Sequence, residues 1–237
     1  MNLKDILAEY QLLDLTHSLH PQVPGWDDGC YFNLQQHLDY PQGGFKVQQL
    51  TMFAGTGTHM DAPLHIHPEA NGIDQIPLSS LCVPLHTLHV NPQTHAQYLI
   101  TPADITHYEQ QHGLIGPDSL VIADTGWGGF WADARAYRNK DQKGRMQFPT
   151  FSAASAKLLL ERNIAGIGID TLSPDGADTD FPVHQLILGT GKYIIENVAN
   201  AALLPATGAF VLALPMKIQE GTEAPLRLVA FLPRHST

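Results

Sequence analysis

Two imidazoles and a carboxylate fall within seven residues in the stretch Gly57-Thr58-His59-Met60-Asp61-Ala62-Pro63-Leu64-His65. Imidazole nitrogen and carboxylate oxygen are the donor types that Zn or Mn accepts. A single residue separates His59 from Asp61, so an extended backbone would put both side chains on one face. Pro63 ends regular pairing and turns the chain, which predicts that His65 approaches the same point from another direction. The chemistry implied is hydrolysis assisted by a metal, with this stretch supplying half of the site.

Catalytic metal sites take three or more protein ligands, so further donors are required. His184 and Glu196 are the candidates. Pro182-Val183-His184 starts a new element, Gly189-Thr190-Gly191 breaks it, and Lys192 to Glu196 reads as a following strand. A turn between the two would let both side chains converge. On the residues alone, each also fits an ordinary role: a histidine at a helix start and a surface carboxylate.

Composition narrows the class. A chain of 237 residues with 43% hydrophobic and 15% charged residues can bury a substantial core, and no internal repeat or low-complexity segment divides it. The formal net charge of −10 argues against nucleic acid or an anionic membrane surface as a partner. No apolar run is long enough to span a bilayer; Ala209 to Leu214 is strand-sized. The N-terminus lacks a basic segment followed by an apolar run, and Cys30 and Cys82 form no CxxC pair, so two free thiols in a cytoplasmic protein are expected.

The positioning elements can be read from spacing. Residues 2–10 suggest a short amphipathic helix, and Leu13 to His17 alternates as a half-buried strand. Further strands are expected at Val47–Phe53, leading into the metal motif, and at Pro84–Val90, Ser119–Ala123, Gly166–Asp170, Ala209–Leu214 and Leu226–Phe231. Thr101-Pro102-Ala103-Asp104 has the signals of a helix start, with Gly113 capping the far end. Ser152 to Arg162 is the clearest helix. The mixture predicts one α/β domain over residues 1–237, built around a mixed sheet.

With these residues assembled, Thr56 to His65 resembles the HxGTHxDxPxH signature of the cyclase family, which includes bacterial kynurenine formamidases and isatin hydrolases. Asp14-Leu15-Thr16-His17 is similar to its DLTH segment, Thr125-Gly126-Trp127 to its RTGW segment, and Gly168-Ile169-Asp170-Thr171 to its GID segment. His184 and Glu196, twelve positions apart, fall where that family has its later ligands. Leu214-Pro215 and Ala224-Pro225-Leu226-Arg227 resemble its closing motifs. The likeness implies a swivelling β/β/α fold: a largely antiparallel, barrel-like sheet flanked by helices.

It also implies roles. His59, Asp61, His184 and Glu196 would hold Mn or Zn, and His65 would act as general base and then protonate the leaving nitrogen. The signature opens with a histidine that is a zinc ligand in the binuclear formamidases, and Gly55 stands there instead. One ion per site is therefore expected. Asp124 stands where the family often has Arg, which would alter the charge the pocket prefers. N-formylkynurenine, a linear aryl formamide, is the first substrate expected and isatin, a cyclic amide, the alternative. Trp26 and Phe45 are candidate stacking residues, and a homodimer or homotetramer is implied.

His67 is expected in a loop, and His86 and His89 as packing or surface residues; Asp14 and His17 match the family's DLTH segment, and Asp14 also fits a role in satisfying backbone groups near the site. No Gly-x-Ser-x-Gly nucleophile turn and no phosphate-binding glycine loop occurs. A non-catalytic metal- or ligand-binding relative is the competitor from another class, and retention of His65 speaks against it.

Overall fold

The computed structural model describes residues 2–90, 96–176 and 180–234. Among them the strands are β1 (Tyr10–Asp14), β2 (Phe32–Leu38), β3 (Val47–Met52), β4 (His59–Asp61), β5 (Cys82–His89), β6 (Leu99–Ile100), β7 (Leu120–Asp124), β8 (Thr150–Phe151), β9 (Gly166–Ile169), β10 (Tyr193–Glu196), β11 (Ala209–Pro215) and β12 (Glu223–Pro233). The helices are α1 (Leu3–Ala8), α2 (Tyr40–Gly43), α3 (Pro102–His112), α4 (Ala134–Arg138), α5 (Ala153–Glu161) and α6 (Pro182–Gly189). None is long and apolar enough to cross a membrane.

Seven strands close into a ring in the order β12-β11-β5-β7-β9-β10-β4, and β4 pairs back onto β12. Pairings among β5, β7, β9 and β10 are parallel, and the four others around the ring are antiparallel. β1 lies along the far half of β12. This is the mixed, barrel-like α/β sheet flanked by helices that the resemblance implied.

Alternation along the strands separates two cores. Leu120 and Ile122 of β7 point into the ring, where they join Met60, Leu85, Ile195, Val211 and Leu228. Val121 and Ala123 point out, against Ala156 and Leu159 of α5 and Ile187 of α6. The ring is tight at β9. A Cβ on Gly166 would sit 2.6 Å from both the ring and the carbonyl of Tyr193, which only glycine tolerates.

Helix ends follow the sequence signals. Ser152 accepts from the Ser155 N–H at 3.0 Å to cap α5, and the Asp104 carboxylate accepts from the Thr101 N–H at 2.7 Å at the start of α3. The strand expected at Val47–Phe53 is β3, the last strand before β4 in the chain; it pairs with β2 in a separate hairpin whose side chains are largely exposed. At its base Phe32 is buried and Met52 packs beside it, against the core that holds Trp127 and Trp131.

Candidate active site

β4 is the platform on which the site is built. Its register sets Glu196 of β10 opposite His59 on one side, and Glu223 of β12 opposite Asp61 on the other. Residues directly opposite in antiparallel pairs share a face. Met60, between the two ligands, points into the barrel core, so the four polar side chains lie together on the outer face. α6 packs over that face through Val183 and Ile187 and carries His184 to the same point.

The four predicted ligands meet. His59 Nε2 lies 3.4 Å from Asp61 Oδ1 and 3.4 Å from Glu196 Oε2. His184 Nε2 lies 3.6 Å from Asp61 Oδ2 and 3.5 Å from Glu196 Oε1. Both imidazoles are held in the ligating tautomer. Nδ1 of His59 donates to the Gly57 carbonyl at 2.9 Å, and Nδ1 of His184 donates to Asp175 Oδ2 at 2.7 Å. Each ring therefore turns Nε2 into the cluster.

Asp61 supplies the test of whether a metal fits. It is 1% exposed, and neither carboxylate oxygen has a hydrogen-bond partner. A carboxylate buried with both oxygens bare is costly unless a cation sits beside it. His59, Asp61 and Glu196 each offer a donor atom within 4.8 Å of the others, and His184 Nε2 stands beside both carboxylates, a donor set of the kind Zn or Mn accepts. The residues present fit a divalent ion.

Electrostatics agree. Burial opposes protonation of His59, but Asp61 and Glu196 overcome it and hold the ring up at about 10. Burial likewise opposes charge on His184, yet Asp175, Asp61 and Glu196 hold it up at about 12. Burial alone would raise Asp61, but His59 and His184 hold it well below the usual carboxylate range. Burial and the Asp61 charge push Glu196 up. Without a cation, the cluster keeps protons that an ion would displace.

Sequence reasoning missed the supporting residues. Asp175 accepts from the Val183 and His184 N–H groups at 2.9 and 3.0 Å as well as from the His184 ring. Asn197 donates to the Gly57 carbonyl at 3.0 Å, and Thr58 Oγ1 donates to the Asn197 carbonyl at 2.7 Å. Gly57, at φ 69°, adopts the left-handed turn that aims this carbonyl. Tyr137 OH donates to the Asp170 carbonyl and Asn197 Oδ1, while Thr125 Oγ1 donates to Asp170 Oδ1 at 2.6 Å. The TGW and GID segments thus buttress the loop behind His59.

A cavity of about 380 Å³ opens over the cluster. Trp26, Tyr31, Phe53 and Phe181 form its aromatic wall, with His65, Glu196 and Glu223 at the reactive end. No Lys or Arg is among the described lining residues. The 3-10 turn Pro63–His65 follows β4 as the proline predicted, and places the His65 ring 5.9 Å from that of His184.

Trp26 lines the cavity; Phe45 does not. Phe45 is 56% exposed beyond α2, and Phe53 at the end of the hairpin supplies the aromatic surface instead. Asp124 does not face the cavity either, but pairs with His89 at 2.8 Å. His86 bonds Tyr108 and His67 packs against Gly189. His17 stacks on Trp131 at 3.9 Å, and Asp14 pairs with Arg227, joining the DLTH and APLR segments at the outer edge of the sheet. Cys30 and Cys82 are exposed free thiols.

Comparison with known proteins places this arrangement. A family model described as putative cyclase matches residues 13–176. An isatin hydrolase from Roseibium aggregatum is 30% identical, covering 98% of this chain and 95% of its own. A kynurenine formamidase from Salinibacter ruber is 26% identical, over 92% of this chain and 96% of its own. The structure of isatin hydrolase A from Labrenzia aggregata bound to benzyl benzoate superposes with a TM-score of 0.89 at 29% identity, covering 98% of this chain and 96% of that one. Carrying the signature on β4 and matched over most of its length, the chain belongs to the cyclase family.

Proposed function

We propose that this protein is a metal-dependent hydrolase that opens a neutral cyclic amide fused to an aromatic ring. Of the two substrates the resemblance implied, the cavity favours the isatin-like one. N-formylkynurenine carries an amino-acid ammonium and carboxylate; the described lining offers aromatic faces and the acidic side chains Glu196 and Glu223, which suit the ammonium, but no Lys or Arg to receive the carboxylate. That absence beside the His/Asp/Glu cluster is the observation on which the reading rests.

His59, Asp61, His184 and Glu196 would hold the ion, Mn or Zn, which supplies Lewis acidity to the amide carbonyl and to the attacking water. Trp26, Tyr31, Phe53 and Phe181 stack against the aryl ring and exclude water. His65 Nδ1 faces Glu223 at 3.6 Å, leaving Nε2 to take the proton from water. As oxygen adds to the carbonyl carbon and the C–N bond breaks, His65 returns that proton to the leaving nitrogen. The product is a single ring-opened molecule that carries both the new carboxylate and the arylamine. Glu223 repels the new carboxylate, which aids its release.

A homodimer or homotetramer suits the exposed faces of the β2–β3 hairpin, where Leu34 and Leu50 meet solvent in this protomer. The deciding assay compares isatin with N-formylkynurenine on metal-loaded protein. A kcat/KM at least about tenfold higher for isatin, roughly 1.4 kcal/mol in transition-state binding, is expected. The reverse order would refute the cyclic-amide reading. Tight metal binding without turnover of either would favour a non-catalytic relative.

A further inference from the structure

Glu223 is an acidic residue beside the cluster that the signature does not account for. Three observations define its place. It stands opposite Asp61 across the β4–β12 pairing, on the same face. A Cβ on Gly55 would fall 2.3 Å from Glu223 Oε1 and 3.3 Å from His59 Nε2, so this carboxylate fills the room left where the signature has its first histidine. Its other oxygen lies 3.6 Å from His65 Nδ1.

One ligand atom each from Asp61, His65 and Glu223 falls within 4.8 Å of the others. Asp61 is buried and has both oxygens unpartnered, which lets it serve two neighbouring cations. We propose that Asp61, His65 and Glu223 form a second, outer position for a divalent cation, and that filling it silences His65, so excess metal inhibits. The position is distinct from the four-residue one in drawing on His65 and Glu223. An imidazole whose nitrogen is given to a cation has lost that lone pair as a base. The silencing, though not the ion position, rests on the role assigned to His65 above.

The outer position is the weaker of the two. His65 and Glu223 side chains are 32% and 23% exposed, against 8% or less for the four residues of the inner position, and among the described residues the nearest ionic partner of the His65 ring is Glu223 at 3.6 Å. It should fill only after the inner position has filled, and keep water among its ligands.

Equilibrium dialysis of metal-stripped protein against Mn(II) or Zn(II), with elemental analysis, tests this directly. The wild-type protein should take up a second equivalent at free metal about ten- to 100-fold above the first. Glu223→Gln should keep the first equivalent and lose the second. Gly55→Ala, whose methyl displaces the flexible carboxylate tip, should weaken the second about tenfold with Glu223 still present. Absence of a second equivalent in the wild type, or its survival in Glu223→Gln, would overturn the proposal. Turnover followed along the same titration should fall by about 10²–10⁴ as the second equivalent binds. A second equivalent bound with turnover undiminished would overturn the silencing and remove His65 as the base, while leaving the cyclic-amide reading to its own assay.

Discussion

Asp175 should control metal affinity without touching the metal. Its carboxylate accepts three hydrogen bonds: from Val183 N at 2.9 Å on Oδ1, and from His184 N at 3.0 Å and His184 Nδ1 at 2.7 Å on Oδ2. The last fixes the tautomer that turns His184 Nε2 toward Asp61 and Glu196. In Asp175→Asn one oxygen becomes an NH2 group. If that group faces Val183, two donors confront each other at the start of α6. If it faces His184, Nδ1 must accept, the proton moves to Nε2, and the ligating lone pair is gone. Either arrangement weakens the inner site, and partners of this kind carry about ten- to 100-fold in metal affinity, or roughly 1.4–2.7 kcal/mol. The aspartate also anchors the first turn of α6, so Asn, which keeps its shape, is preferable to Ala. Calorimetric titration of metal-stripped protein with Zn(II) or Mn(II) at pH 7 provides the measurement, with circular dichroism confirming the fold. Wild-type affinity in a folded Asp175→Asn protein would refute both the tautomer argument and His184 as a ligand.

Other outcomes follow from the same geometry. His65→Ala should retain the first metal equivalent and lower kcat by about 10²–10⁴ at limiting metal; full turnover would remove it from the chemistry. Metal uptake at pH 7 should release at least one proton, because His59 and His184 are held up at about 10 and about 12, and affinity should fall as pH falls; buffer-independent binding heats would contradict this. His17 is lowered from 6.5 to about 4, chiefly by burial and further by His20, so the neutral ring is the one the fold accepts. Its stabilising preference is complete above pH 6.5 and is lost as pH falls toward 4, amounting to about 1–2 kcal/mol once its partial exposure is allowed for. In chelator, wild-type Tm should drop more steeply between pH 7 and pH 5 than that of His17→Phe; parallel profiles would refute it.

Local rules were legible where one element decided them. The one-residue gap His59–Asp61 specified a shared face, and Pro63 specified the turn that offsets His65. Thr101 and Ser152 announced their helices. What the sequence hid depends on register between strands distant along the chain. Glu223 is an unremarkable acid until β12 is laid beside β4, and Asp175 reads as a turn residue until α6 is folded over it. Phe53 and Phe181 are a hairpin end and a helix start, and only the assembled cavity makes them a wall. Phe45 shows the opposite error. Two preceding glycines advertise a loop, but not the direction in which it leads.

The closure of the barrel and the assembly of the site are the same event. β4 is three residues long, too short to be held by its own propensity, yet it is hydrogen-bonded on one side to β10 and on the other to β12. Those pairings that close the ring also set Glu196 beside His59 and Glu223 beside Asp61. The cost of bringing carboxylates and imidazoles together in a buried place therefore falls on the seam of the barrel, which must be formed for the core residue Met60 to be enclosed. A cation at the inner position would neutralise that cost and stabilise the seam, making free energy of metal binding also free energy of folding. This explains the supporting hydrogen bonds: Asp175 accepts from His184 Nδ1, the Gly57 carbonyl accepts from His59 Nδ1, and Asn197 donates to that same carbonyl, so the ring nitrogens facing the cluster are held in place before an ion arrives.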